Sequence, residues 1–255
     1  MTIRNGLIVL VLAVVVAVGG WYVFTHSQSL PHTLTESGDR FIKEDTDYYT
    51  IQAVYPNTTR LATRTDSSAA ADARAVATIE STINDMVAEF KRTANQALTQ
   101  DEKARLTEQK IKYSLNVISR AYNSGSFVSY ELDISQDTGG AHPNAFFKTL
   151  VFDLKGNLVD LSDLFSDRGY LERVAAEAKT QVAAQLAARA GEEATSTIFE
   201  EGLAPRADNF ANWVDDQSTL IFLIPPYQAA AYAAGSFEVK IPTTELKDIL
   251  KQGIQ

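Results

Sequence analysis

The chain has 255 residues, a formal net charge of −9 and no cysteine. With 45% hydrophobic and 22% charged residues, it is too apolar for a disordered protein, and its length suits one large or two small domains. The acidic balance argues against nucleic acid as a partner. Without cysteine, disulfides, a thiolate nucleophile and a zinc–thiolate site are excluded.

The first 25 residues predict a transmembrane anchor. An uncharged apolar run of 18 residues extends from Leu7 to Phe24, and at about 1.5 Å per residue it just crosses a hydrocarbon core of about 30 Å. Arg4 precedes the run and the next charged residue is Glu36. The positive-inside rule therefore predicts a single-pass cell-membrane protein whose C-terminal domain is extracytoplasmic. A cleaved signal peptide is the alternative, but Trp21 and Tyr22 occupy the position of an interfacial aromatic belt.

The rest of the chain divides by composition. Residues 26–46 are polar and predict a spacer between the membrane and the domain. The folded part is expected over residues 47–252, with an N-terminal half at 47–155 and a C-terminal half at 156–252.

Hydrophobic periodicity predicts strands and one long helix in the N-terminal half. Four stretches either alternate between apolar and polar residues or are rich in β-branched and aromatic residues. Strands are therefore predicted over Tyr48–Tyr55, Ile111–Val117, Ser126–Ser135 and Phe146–Leu154. Apolar residues at three- and four-residue steps from Val76 to Ala94 predict an amphipathic helix.

The C-terminal half predicts a second long helix, with its buried side running from Leu171 to Leu186, and further strands. The run Thr219–Ile224 lacks polar alternation, so we expect it at the centre of a sheet and buried on both faces. The strand Phe237–Ile241 follows, and Leu246–Leu250 predicts a closing helix. The predicted fold is α+β: a mainly antiparallel sheet with two long helices on one face, after a single N-terminal transmembrane helix.

The loop from Asp137 to Asn144 is the most unusual stretch of the predicted domain. Gly139 and Gly140 allow a sharp reversal between two strands, and His142 is followed by Pro143, which favours an extended backbone. His142 is also the only histidine after residue 32. An ordinary turn with a solvated histidine is the alternative interpretation.

The sequence contains no P-loop, dinucleotide-binding, His-Glu-x-x-His or Gly-x-Ser-x-Gly motif. One domain histidine cannot build a histidine-rich zinc site, so no metal and no cofactor are expected. Asp133, Asp137 and His142 could form a hydrolytic group, but nothing in their spacing favours it. We therefore expect a protein that is not an enzyme.

Five segments, in order, resemble a known bacterial module: Thr138–His142, Asp160–Phe165, Phe222–Gln228, Tyr232–Gly235 and Val239–Pro242. They are similar to the extracytoplasmic domain shared by RsiV-type anti-sigma factors, which are lysozyme receptors, and the leader region of PdaC-type peptidoglycan deacetylases. The resemblance implies a binding or sensing domain of the cell envelope, here without the sigma-binding segment or the catalytic domain of those proteins.

The ligand implied by the resemblance is a cell-wall component or a cationic wall-directed protein such as lysozyme. The alternatives are a small cell-wall hydrolase that uses the Gly-Gly-Ala-His loop, and a structural envelope protein. We expect the loop Gly139–His142 and the loop Tyr227–Gly235 to meet at one end of the sheet. The candidate ligand-binding residues are Gly139, Gly140, His142, Tyr227 and Tyr232. Alternatively, the two tyrosines bury their rings under the sheet edge.

Overall fold

The computed structural model describes residues 39–96, 98–167 and 169–252. The predicted anchor over Leu7 to Phe24 and the first part of the predicted spacer lie outside the described residues. Within the ranges described, no helix combines the length and the apolar character that crossing a membrane requires.

A five-stranded sheet forms the N-terminal half. Its strands follow the chain in the order β1–β2–β3–β4–β5, and every pair is antiparallel except β2 and β3, which are parallel. This confirms the mainly antiparallel prediction. The strands are β1 Asp39–Asp45, β2 Tyr49–Pro56, β3 Tyr113–Asn123, β4 Phe127–Asp137 and β5 Asn144–Asp153.

Strand β1 lies inside the segment predicted as spacer, whose boundary at residue 46 was therefore wrong. Its inward side chains are largely charged: Arg40 pairs with Glu80 and Glu44 pairs with Lys91, both on the helix that covers the sheet. Because ion pairs stand where apolar contacts usually lie, the strand shows no hydrophobic alternation in the sequence.

Helix α1 (Ala69–Gln96) packs on one face of this sheet, and helix α2 (Gln100–Gln109) completes the crossover that a parallel β2–β3 pair requires. The α1 stripe of Ile79, Ile83 and Phe90 is fully buried against the sheet, as its periodicity predicts. Helix α2 was not predicted. A capping box between Thr99 and Glu102 begins it, and Leu106 is its buried residue.

A three-stranded antiparallel sheet and helix α3 (Tyr170–Ala190) form the C-terminal half. The order is β6 (Trp213–Asp216), β7 (Thr219–Ile224) and β8 (Phe237–Pro242). Strand β7 is central and buried from Leu220 onward, as predicted. Short 3₁₀ helices connect the elements; they are Leu61–Thr63, Leu161–Leu164, Glu192–Thr197, Glu200–Leu203, Ala207–Phe210, Tyr232–Ala234 and Thr243–Glu245. The last of these replaces the predicted closing helix.

The two sheets pack on each other through β6. The backbone nitrogen of Trp213 donates to Oγ1 of Thr149 at 3.0 Å, and that of Asp215 donates to Oγ of Ser129 at 3.2 Å. The prediction of two helices on one face was wrong, because α1 covers the first sheet and α3 covers the second. The reason is that β7, apolar on both faces, is buried between α3 and the first sheet instead of inside one larger sheet. The α+β class itself is confirmed.

Candidate functional site

Two loops meet at the end of β4 and the start of β5. The loop between these strands carries His142, and the connection from β7 to β8 carries Tyr227 and Tyr232. Nε2 of His142 lies 3.0 Å from Oη of Tyr227, and the imidazole stacks on the Tyr232 ring with centroids 3.6 Å apart and planes 14° apart. The expected meeting of the loops is confirmed. We call His142, Tyr227 and Tyr232 the aromatic cluster.

The hydrogen bonds of His142 define its tautomer. Nδ1 lies 2.9 Å from the backbone oxygen of Pro143, which can only accept, so Nδ1 carries the hydrogen of the neutral imidazole. Nε2 is then the acceptor, and the hydroxyl of Tyr227 donates to it. The phenol oxygen of Tyr227 can then still accept a hydrogen bond from another group.

The two glycines shape the loop without joining the aromatic cluster. Gly139 has φ +82°, and its nitrogen donates to Oδ1 of Asp137 at 2.9 Å, which closes a tight turn after β4. A Cβ at Gly139 would lie 3.3 Å from the Tyr113 ring. Gly140 is exposed, and a Cβ there would lie 3.5 Å from the backbone oxygen of His142.

Tyr227 adopts a backbone conformation that a tyrosine rarely takes. It is the third residue of a turn in which the nitrogen of Gln228 donates to the oxygen of Pro225 at 3.2 Å, and its φ is +71°. Glycine usually occupies that position of such a turn. The side chain is nevertheless large and 56% exposed. A strained backbone that presents an exposed aromatic ring is typical of binding sites.

Two side chains that the sequence did not single out hold the Tyr227 loop. Nε2 of Gln228 donates to the backbone oxygens of Gly202 and Asn209 at 2.9 and 2.8 Å. Nη1 of Arg189 donates to the oxygens of Ala234 and Ser236, each at 2.8 Å. Because these bonds end on backbone atoms of distant segments, no residue pattern could have shown them.

The surroundings of Tyr232 favour its neutral phenol. Burial raises the pKa of the Tyr232 phenol, and the nearby Tyr227 and Asp137 raise it further, so Tyr232 stays protonated at physiological pH. In the part of the chain described, no three His, Cys, Asp or Glu side chains are grouped so that they could hold a metal. The cluster therefore offers two stacked rings and a third ring tilted to them, with two phenol oxygens.

Two stretches of the chain are similar to two known protein families. Residues 42–145 match the family described as Deacetylase PdaC, and residues 162–244 match Protein of unknown function (DUF3298). Over 116 residues the chain is 29% identical to peptidoglycan-N-acetylmuramic acid deacetylase PdaC of Bacillus subtilis (strain 168). That match covers 45% of this chain and 24% of the relative, so the chain spans about a quarter of that protein's length.

Two solved structures of DUF3298 family proteins share the fold. The one from Bacteroides fragilis NCTC 9343 has a TM-score of 0.54 and 20% identity, over 84% of this chain and 92% of its own. The one from Pseudomonas aeruginosa PAO1 has a TM-score of 0.54 and 14% identity, over 85% and 95%.

The aromatic cluster joins the two matched regions. His142 lies within the first and both tyrosines lie within the second. The predicted resemblance to PdaC is confirmed, and the likeness to anti-sigma factors stays a prediction. Residues 42–145 thus resemble a PdaC-type domain, and the stretch similar to DUF3298 that follows supplies the two tyrosines of the candidate site.

Proposed function

We propose that this protein is a membrane-anchored, extracytoplasmic binding domain of the bacterial cell envelope, with the aromatic cluster as its ligand site. The observation that carries the proposal is Tyr227, an exposed aromatic residue with positive φ held against His142. Residues strained in this way concentrate at ligand sites. The membrane attachment is the predicted helix from Leu7 to Phe24.

A purely structural role accounts less well for Tyr227. A turn that only closed the fold would favour glycine at this position, and a buried tyrosine would place its ring under the sheet edge. Instead, the ring is more than half exposed, while Gln228 and Arg189 fix the backbone on both sides of the loop. Rigid tyrosines give large contact areas at low entropic cost.

The ligand that we propose is a cell-wall component, with a cationic wall-directed protein such as lysozyme as the second candidate. The name of the Bacillus subtilis relative, a deacetylase of peptidoglycan N-acetylmuramic acid, supports the first. The net charge of −9 supports the second, because an acidic surface attracts cationic proteins. The same charge disfavours nucleic acid.

Binding to the wall tests the proposal. The full-length chain should sediment with purified peptidoglycan sacculi, and His142→Ala and Tyr232→Ala should reduce the bound fraction severalfold with little change in melting temperature. Leu158→Ala, an exposed apolar residue outside the cluster, is the matched control and should bind normally. If both cluster variants sediment like the wild type, the ligand site has been placed wrongly.

Catalysis is the alternative, because His142 is oriented to take the proton of Tyr227 and the relative is named as a deacetylase. We propose that the protein has no such activity. Incubating the full-length chain with sacculi should release no acetate and no reducing ends. If the wild type releases acetate or reducing ends and Tyr227→Phe does not, the protein is a hydrolase and the proposed binding function is wrong.

The topology has its own test. Protease added to intact spheroplasts should degrade the domain, because the proposal places it outside the membrane. A full-length chain that is protected until the cells are lysed would contradict that placement.

A further inference from the structure

The face of the first sheet that points away from α1 is only partly covered. Strand β6 bonds to Thr149 and Ser129 and covers that end. Beyond it, one row of neighbouring side chains crosses β1 to β4; its members are Phe41, Val54, Ile118 and Asp133. At the β5 end the row continues to Phe147, which packs against the second sheet. Phe41 is 65% exposed and Ile118 is 40% exposed. We call this row and the one beside it the open face.

The second row of the open face is polar. Lys43, Gln52, Asn116 and Ser135 are neighbours across β1 to β4. Within the described part of the chain, these four side chains make no hydrogen bond and no ion pair. Amide, hydroxyl and ammonium groups therefore stand unpaired beside a row of apolar groups.

Such a surface is unusual for the solvated side of an antiparallel sheet, which normally carries polar residues. Scattered exposed apolar residues need no explanation, but Phe41, Val54 and Ile118 are contiguous across three strands. Contiguous apolar surface rimmed by polar groups marks an interaction site.

We infer that the open face binds a glycan strand of peptidoglycan, lying across the strands of the sheet. A pyranose ring has an apolar C–H face and an edge of hydroxyl and acetamido groups, which matches the two adjacent rows. Neighbouring strands are about 4.8 Å apart, close to the advance per ring of a β-1,4-linked glycan. Successive rings would then lie over successive strands.

Charge favours a glycan over a cationic protein at this surface. The two rows contain one cation, Lys43, and one anion, Asp133, on a chain of net charge −9. A site for a cationic protein would carry an excess of carboxylates. The open face is balanced, as suits a ligand that is recognised through hydroxyl and amide groups.

The open face leads to the aromatic cluster. After Ser135, the next outward residue of β4 is Asp137, which is close enough to Tyr232 to raise the pKa of its phenol. A glycan that crosses the sheet from β1 to β4 would therefore have the aromatic cluster beside its β4 end. The inference rests on the proposed function, whose ligand it names as the glycan itself.

The test is titration of the full-length chain with a β-1,4-linked N-acetylglucosamine hexasaccharide by calorimetry. Phe41→Thr and Ile118→Thr remove apolar contact while keeping a strand-forming residue, and Asn116→Ala removes a hydrogen-bonding group. Each variant should weaken binding about tenfold with an unchanged melting temperature. Leu158→Thr makes the same kind of change at an exposed position off the face and should bind like the wild type.

Several results would overturn the inference. One is that the wild type fails to bind the hexasaccharide, and another is that all variants bind it with equal affinity. A dimer in sedimentation that Phe41→Thr dissociates would also overturn it, because a second copy of the chain would then cover the face. If the face variants bind sacculi normally while His142→Ala does not, only the open face is refuted. If His142→Ala also binds sacculi normally, the proposed ligand site fails as well.

Discussion

The positive φ of Tyr227 should lower the stability of the fold, and this effect can be measured apart from the loss of the ring. An L-residue at φ +71° is destabilised relative to glycine by about 1 kcal/mol. Tyr227→Gly and Tyr227→Ala both remove the ring and its bond to His142, but only glycine relieves the backbone. We expect the glycine variant to be the more stable by about 1 kcal/mol in denaturant unfolding. Equal stabilities would show that the turn is not strained.

Gly202 allows the backbone of Gln228, whose side chain holds the Tyr227 loop, to approach closely. A Cβ at this residue would lie 1.7 Å from the backbone oxygen of Gln228, so Gly202→Ala forces the two segments apart. Overpacking of this kind typically costs about 1–3 kcal/mol, and the displaced loop should also lose wall binding. Gly125→Ala is the matched control, because no atom lies within 4 Å of its Cβ position. Thermal unfolding of both variants checks the prediction.

The aromatic cluster could be predicted in part from single residues. His142 was identified because it precedes a proline and follows two glycines, and the tyrosines because they lie among small residues after a buried strand. The stacking of His142 on Tyr232 and the roles of Gln228 and Arg189 could not be predicted. They depend on contacts between the two halves of the chain, and sequence periodicity describes only one element at a time.

Among the elements, α3 does more than cover the second sheet. Gln181, Gln185 and Arg189 recur every four residues and lie along β8 and the residues just before it; β8 is one of the two edge strands of this sheet. Gln181 bonds both backbone groups of Lys240, at 2.8 and 2.9 Å, and Gln185 donates to the oxygen of Glu238 at 2.7 Å. These side chains satisfy backbone groups that would otherwise invite pairing with another chain.

Removing these side chains should expose the edge. Gln181→Ala loses three hydrogen bonds, two of them to β8, and Gln185→Ala loses two, one of them to β8. At about 1 kcal/mol each, Gln181→Ala should be the more destabilised variant in urea. Both should aggregate faster than the wild type on heating. Thr180→Ala, whose hydroxyl bonds only within its own helix, serves as the control. If neither variant aggregates faster than the wild type, α3 does not protect the β8 edge.

Elements with a regular apolar pattern were predictable, and those stabilised by charge were not. The β4 alternation and the α1 stripe reflect buried faces, so periodicity located both. Strand β1 packs its inner side through ion pairs, and α2 buries little beyond Leu106, so neither carries a hydrophobic period. The division into two sheets also escaped prediction, because a strand buried on both faces suits either arrangement.

At the scale of the whole molecule, the seam between the two sheets contains buried carboxylates. Glu131 is 2% exposed; it accepts a hydrogen bond from Oη of Tyr122 at 2.6 Å and pairs with Arg120 at 3.1 Å. Burial raises the pKa of Glu131, although the bond from Tyr122 and the charge of Arg120 oppose the rise. Asp215 on β6 is also buried, one of its oxygens has no hydrogen-bond partner among the described residues, and burial raises its pKa too.

These shifts determine how stability depends on pH. A carboxyl whose pKa is higher in the folded state favours folding while it is protonated, and this contribution is lost as pH rises through the folded pKa. Glu131→Gln cannot ionise but can still accept from Tyr122. The free energy of unfolding of the variant, relative to the wild type, should therefore increase as pH rises from about 4, the ordinary range of glutamate. Denaturant unfolding at pH 4 to 8 measures this difference, with exposed Glu108→Gln as the control. A difference that stays constant or shrinks with pH would mean that Arg120 and Tyr122 outweigh the burial of Glu131.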